Sequence, residues 1–170
     1  MMKALLQTLF DYNRWANSKV LELVWDLPDS ALDEATNHSH NTIRELLFHM
    51  VRAEWIWRNL VEHAEIAAPQ PQLRDFHSLA LIISLWEIEN DNIENFLDTQ
   101  DDQSLDEIVT IKNPRVGEEH LSPAQMLMHL LLHSMQHRSE VAAILTARGH
   151  SPGDIDFIFF LIQQHCDPGH

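Results

Sequence analysis

A single cysteine, Cys166, has no partner within the chain for a disulfide, which excludes the small scaffolds held together by cross-links. Glycine is nearly as scarce, with four residues, and that argues against a turn-rich β fold and for long uninterrupted helices. Positive charge is thin: 11 Lys and Arg stand against 26 Asp and Glu, a formal net charge of −15. A surface of that sign repels polyanions, so nucleic acid and anionic membranes are poor partners. Long apolar runs are missing as well. The longest, Phe157 to Ile162, falls far short of the roughly 18 residues a bilayer-spanning helix needs. Asp11 and Arg14 follow too soon after the first residues to leave room for a signal peptide. With the lone cysteine in a polar tail, a reducing cytoplasm is the expected setting.

Several catalytic signatures are absent too. There is no Gly-x-Gly-x-x-Gly, Walker loop, Cys-x-x-Cys or Gly-x-Ser-x-Gly. No Glu-x-x-His pair recurs on two helices, so a di-iron carboxylate centre lacks its ligands.

What is present is helical periodicity. At 170 residues the chain fits one domain, 1–170, with no repeat or linker. The first long segment runs from about Lys3 to Asp26 and is closed by Pro28. The second opens at Thr42-Ile43-Arg44-Glu45, which reads as a capping box, and breaks at Ala67-Ala68-Pro69-Gln70-Pro71. The third spans about Phe76 to Leu97. The fourth starts at Ser122-Pro123-Ala124-Gln125, with an N-cap Ser, Pro at the first helical position and Gln at the third, and stops at Gly149. A short fifth helix, Ile155 to Ile162, docks back on the others. Between the third and fourth helices, Ile108 to Ile111 and Pro114 to Gly117 read as a short strand and a turn. Four amphipathic helices must bury their apolar faces against one another, so the expected fold is all-α, a four-helix bundle.

The oddity of composition is 12 histidines. On the fourth helix His129, His133 and His137 are spaced by four, which stacks them along one face. Two imidazoles so placed can both reach one ion, since a Zn–N bond is about 2 Å. An isolated pair of this kind is more often hydrogen-bonded without a metal. Here, however, Met126, Leu130, His133, His137, Val141 and Ile144 form one stripe, so two imidazoles interrupt a core face. Buried without partners they would be costly, which asks for a metal or a hydrogen-bond network. His129 lies nearer the edge of the face as a supporting residue, with a ligand role as the alternative. On the second helix His49 borders the apolar stripe; a lone satisfied histidine is the alternative, and periodicity alone does not carry it to the fourth helix. Three neutral imidazoles with a position left over make an open site of the Lewis-acid type. Glu45 would either cap its helix or orient His49. His38 and His40 sit in the polar approach to the second helix, His63 near its exit, His77 at the start of the third, and His120 and His150 flank the fourth, while His165, Cys166 and His170 read as an incidental metal cluster in the tail. The five tryptophans are expected in or near the core, one or two of them walling a pocket beside the site.

Asp11-Tyr12-Asn13-Arg14-Trp15-Ala16-Asn17 and Thr42-Ile43-Arg44-Glu45-Leu46-Leu47-Phe48-His49 resemble segments of the DinB-like family of metal-dependent helical bundles. The same holds for Met128 through Arg138, then Ala147-Arg148-Gly149-His150-Ser151-Pro152 and Asp156, in the same order across essentially the whole chain. The resemblance implies a four-helix bundle of unusual connectivity. It also implies a metal site on the first histidine of the second helix and a His-x-x-x-His of the fourth, here His49, His133 and His137. It further implies one divalent ion, commonly nickel or zinc and otherwise iron or manganese, a homodimer, and transfer of a low-molecular-weight thiol such as bacillithiol, mycothiol or glutathione to an electrophile. A metal-dependent hydrolase and a non-catalytic metal- or ligand-binding protein are the competing readings. Where relatives carry Arg-Gly-Gln after the last histidine, this chain has Arg138-Ser139-Glu140, a carboxylate that would change the charge of the pocket.

Overall fold

The computed structural model describes residues 1–113 and 117–166. In chain order the helices are α1 (Met2–Trp25), α2 (Asp29–Leu32), α3 (Ile43–His63), α4 (Leu79–Thr99), α5 (Asp102–Asp106), α6 (Pro123–Ala147) and α7 (Phe157–Cys166). Helices α1, α3, α4 and α6 are the four long ones expected, and the fold is an all-α bundle. Helix α6 packs on α1 and α3, and α4 packs on α3 and α1. Round the bundle the order is therefore α1, α6, α3, α4. The first connection, through residues 26–42, crosses the bundle diagonally.

The start of α6 follows its sequence closely. Ser122 accepts the Gln125 N–H at 3.3 Å, and the Gln125 side chain accepts the Ser122 N–H at 2.9 Å, a complete capping box with Pro123 at the first position. At the other end Gly149 takes φ +86°, where only glycine is unstrained. The His150 N–H then reaches Leu145 O at 2.8 Å and the Gly149 N–H reaches Thr146 O at 3.0 Å, the paired bonds of a Schellman ending.

Other boundaries differ from expectation. Helix α3 stops at His63, before the proline stretch, because Ala64 turns left-handed at φ 60° and its carbonyl accepts the Lys112 N–H at 3.1 Å. A tertiary partner, not proline, ends that helix. The box at its start is half made: Thr42 Oγ1 takes the Glu45 N–H at 3.1 Å, but the Glu45 carboxylate reaches past Thr42 to the Asn41 N–H at 2.9 Å. Helix α4 begins at Leu79, capped by Ser78, rather than at Phe76. The expected strand is half of a hairpin, β1 (Val109–Asn113) antiparallel to β2 (Gly117–Leu121), with Val109 opposite Leu121. The turn expected at Pro114 to Gly117 falls, up to residue 116, outside the described residues. Among the described residues no helix is long and apolar enough to cross a membrane.

The apolar core falls into two main clusters. One gathers Val20, Val24, Ile43, Leu47, Ile82 and Val141; the other gathers Leu6, Leu97, Leu105, Leu127 and Leu130. On α1, α3 and α6 the residues between the two clusters include buried polar ones: Asn13, Asn17, Glu54, Ser134, His137 and Arg138. Burying so many polar groups is costly unless they satisfy one another. This band is the level at which the histidines sit.

Candidate metal centre

The centre forms on the seam between α3 and α6. His49 projects from α3, and His133 and His137 from α6, one turn apart. Nε2 of His49 faces Nε2 of His133 at 3.0 Å. The His137 ring lies 4.7 Å from that of His49 and 4.5 Å from that of His133, centroid to centroid. The structure thus brings together all three residues singled out in the sequence. Two nitrogens bound to one ion by ~2 Å bonds, at angles between octahedral and tetrahedral, stand about 2.9–3.3 Å apart. The spacing of His49 and His133 falls in that interval.

The electrostatics agree with a ligand set. Burial, aided by neighbouring imidazoles, pushes His49 down to about 3 and His133 to about 4. Both rings are therefore neutral at pH 7, the form that ligates. Among the described residues Nδ1 of His133 is buried with no hydrogen-bond partner. Such an orphaned nitrogen costs about 1–3 kcal/mol, and Nε2, facing His49, is the nitrogen of this ring with a neighbour to bond. An all-nitrogen, neutral donor set of this kind fits zinc, nickel or another borderline divalent ion.

His40 is the residue the sequence concealed. Its place in the polar approach to α3 gives no sign of a role, yet its ring packs 4.1 Å from that of His49 and 5.7 Å from that of His137. Ligating atoms of His40, His49 and His137 lie within 4.8 Å of one another. That tighter trio contains His40 in place of His133, whose link to the group is the 3.0 Å approach to His49. Four imidazoles converge, from a loop and two helices. The available hint was the cluster Asn37-His38-Ser39-His40-Asn41 just ahead of a helix cap; nothing periodic places it.

Behind His137 stands Glu140. Its Oε2 lies 3.5 Å from Nδ1 of His137 and accepts the Ser39 hydroxyl, which is itself 3.3 Å from that nitrogen. Burial opposes its charge, but hydrogen bonds from Ser39 and His137 hold the Glu140 carboxyl below its ordinary value. The carboxylate that departs from the family pattern thus holds His137 at Nδ1, which leaves Nε2 as the nitrogen of that ring free to ligate. Glu140→Ala is expected to lower zinc affinity about 10- to 100-fold, the usual effect of removing such a partner. Competition with a chromophoric chelator measures it; an unchanged constant would remove this role from Glu140.

Next to His137, Arg138 turns inward. Its guanidinium donates to Asn13 at 2.7 Å, Asn17 at 3.0 Å and the Tyr12 hydroxyl at 3.4 Å. The motif at the start of the chain and the histidine motif of α6 are therefore one network, which fixes α6 against α1. Of the remaining histidines, His129 is exposed, 6.0 Å from the His133 ring and 4.5 Å from the indole of Trp57, as a flanking residue should be. Trp57 is the tryptophan beside the site, whereas Trp25, expected near the core, is 59% exposed. In the tail, His165 donates to Leu161 O at 2.6 Å, and His170 lies outside the described residues.

Two comparisons bear on this arrangement. The model of the DinB family matches residues 1–167. The chain is also 22% identical over 157 residues to "Protein DinB" of Bacillus subtilis (strain 168), covering 90% of this chain and 91% of that one.

Proposed function

The chain belongs to the DinB family, and from that premise we propose that it holds one divalent ion, nickel or zinc, on His49, His133 and His137 and serves as a metal-dependent thiol transferase. The observation that carries the metal site is the facing pair of Nε2 atoms 3.0 Å apart, with His137 against both rings. When bound, the ion would lower the pKa of a coordinated thiol and hold it as a thiolate beside an electrophile. The protein's own residues supply the rest. His49 and His133 stay neutral through burial, and Glu140 keeps His137 turned toward the cluster. Arg138 ties that turn of α6 to α1, so the imidazoles keep their spacing.

Hydrolysis of esters or amides by the same centre would call for a free carboxylate as general base. The two acidic residues nearest the histidines along the chain already accept hydrogen bonds, Glu140 from Ser39 beside His137 and Glu45 from the Asn41 N–H. That favours thiol chemistry. The same reading carries the expectation of a homodimer in a reducing compartment, where the exposed thiol of Cys166 would stay free.

Fully zinc- or nickel-loaded protein is expected to conjugate a chloro-dinitroarene only when a low-molecular-weight thiol is added, with the rate falling to background in His133→Ala. Bacillithiol, mycothiol, glutathione and cysteine make a sufficient panel. No turnover with any of them under full metal loading would contradict the transferase reading, and turnover of esters without thiol would replace it with a hydrolase.

A further inference from the structure

We infer that His40 is a fourth, exchangeable imidazole donor to the ion, carried on a loop that Glu140 anchors beside the site. The inference rests on the metal site proposed above and concerns a residue outside its three-histidine set.

Two independent features of the geometry carry it. First, His40 shares the cluster: its ring is 4.1 Å from that of His49, and its ligating atom lies within 4.8 Å of those of His49 and His137. Second, the loop that bears it is held in place. Thr36 folds the segment back on itself, its N–H donating to Asn41 O at 2.6 Å and its hydroxyl to His40 O at 2.9 Å. The Asn41 N–H is tied to the Glu45 carboxylate at 2.9 Å. Ser39, the neighbour of His40, donates its hydroxyl to Glu140. One carboxylate therefore both orients His137 and anchors the loop of His40.

A side chain on a short loop differs from one on a packed helix. The histidines of α3 and α6 are fixed by helices that the core holds together, whereas His40 is held by a few hydrogen bonds at the surface, where local opening costs least. Four imidazoles would complete a tetrahedral sphere and close a site that three leave open. Entry of a thiol then means exchange for His40, with the other three ligands kept. His40 would raise metal retention in the resting protein and compete with incoming ligands.

The test uses the full chain loaded with cobalt(II) or zinc(II). His40→Ala, and His40→Gln as a variant that keeps the loop polar, are expected to retain one ion per chain but to bind zinc more weakly, on the order of tenfold or more, the scale at which even groups behind a ligand act. Their cobalt absorption bands should shift, and millimolar imidazole should return the His40→Ala spectrum toward that of wild type. If both variants keep wild-type zinc affinity and cobalt spectra while His49→Ala loses the ion, the inference is wrong and the three-histidine site stands. If His40→Ala and His40→Gln lose the ion outright, His40 is an essential ligand and not an exchangeable one. If wild type itself takes up no cobalt or zinc, the underlying metal site fails, and this inference with it.

Discussion

Replacing His49 by alanine is expected to weaken zinc binding about a thousandfold. Structural zinc sites bind with roughly 10–16 kcal/mol at neutral pH, and a third of that, about 4 kcal/mol, corresponds to three decades in the constant. His49 should carry at least such a share, because it is the sole contribution of α3 to the cluster and its Nε2 faces that of His133 at 3.0 Å. Without it, His133 would keep an orphaned Nδ1 and lose its partner at Nε2. His133→Ala and His137→Ala should show losses of the same order, because either leaves α6 with a single helical ligand. Chelator competition at pH 7 reads all three constants. The fold should survive, since His49 and His133 are half-buried and neither belongs to the apolar clusters. Far-UV circular dichroism checks that point. A His49→Ala protein that binds zinc within a few-fold of wild type would remove His49 from the site.

The second large effect comes from Glu54, in the polar band of the core. Its carboxyl is 1% exposed. Oε1 accepts a long bond from Asn13 at 3.4 Å, and Oε2 has no hydrogen-bond partner among the described residues. Burial, only partly offset by the Trp86 indole and Asn13, pushes Glu54 up to about 8 from an ordinary 4.5. The native state therefore keeps a proton that the unfolded chain gives up between these two values. The stability tied to that proton is whole below pH 4.5 and is lost as pH rises through 8. Glu54→Gln has the shape of the protonated acid and does not titrate. Relative to that variant, wild type should lose up to about 1.4 kcal/mol of unfolding free energy per pH unit, roughly 3 kcal/mol between pH 5 and pH 8. Urea unfolding of both proteins across that range measures the difference, and titrations common to both cancel. A difference that stays flat would mean that Glu54 is ionised in the core, balanced by Arg138.

Local signals in the sequence were sufficient for the long helices. Ser122 with Gln125, Pro123 at the first position and Gly149 past the end delimit α6 through bonds that close within a few residues. The interruption of its apolar stripe by His133 and His137 was equally legible, because a helix face depends only on spacing. Contacts that close over long separations were not. Arg138 meets Asn13 across 125 residues, so two motifs visible separately gave no sign that they bond. The end of α3 at Ala64 depends on a hydrogen bond from Lys112, and proline was the wrong punctuation to read. Helix α5 follows Asp101, whose capping box uses Ser104 in place of the usual Glu or Gln. His40 was the costliest omission. It lies in a segment with no period, and only the diagonal crossing from α1 to α3 carries it over the seam. The role of Glu140 was half visible: its departure from the family pattern could be read, but its hydrogen bond to Ser39, 101 residues away, could not.

The central claim is that one divalent ion sits among His49, His133 and His137. Its most direct test is an anomalous difference map from crystals of untagged protein, recorded on either side of the absorption edge of the metal found in it. One strong peak per chain is expected, bounded by Nε2 of His49 and by the His133 and His137 rings, that vanishes below the edge. A map with no peak on that seam after incubation with zinc or nickel, or with the metal at His165 and Cys166 instead, would contradict it.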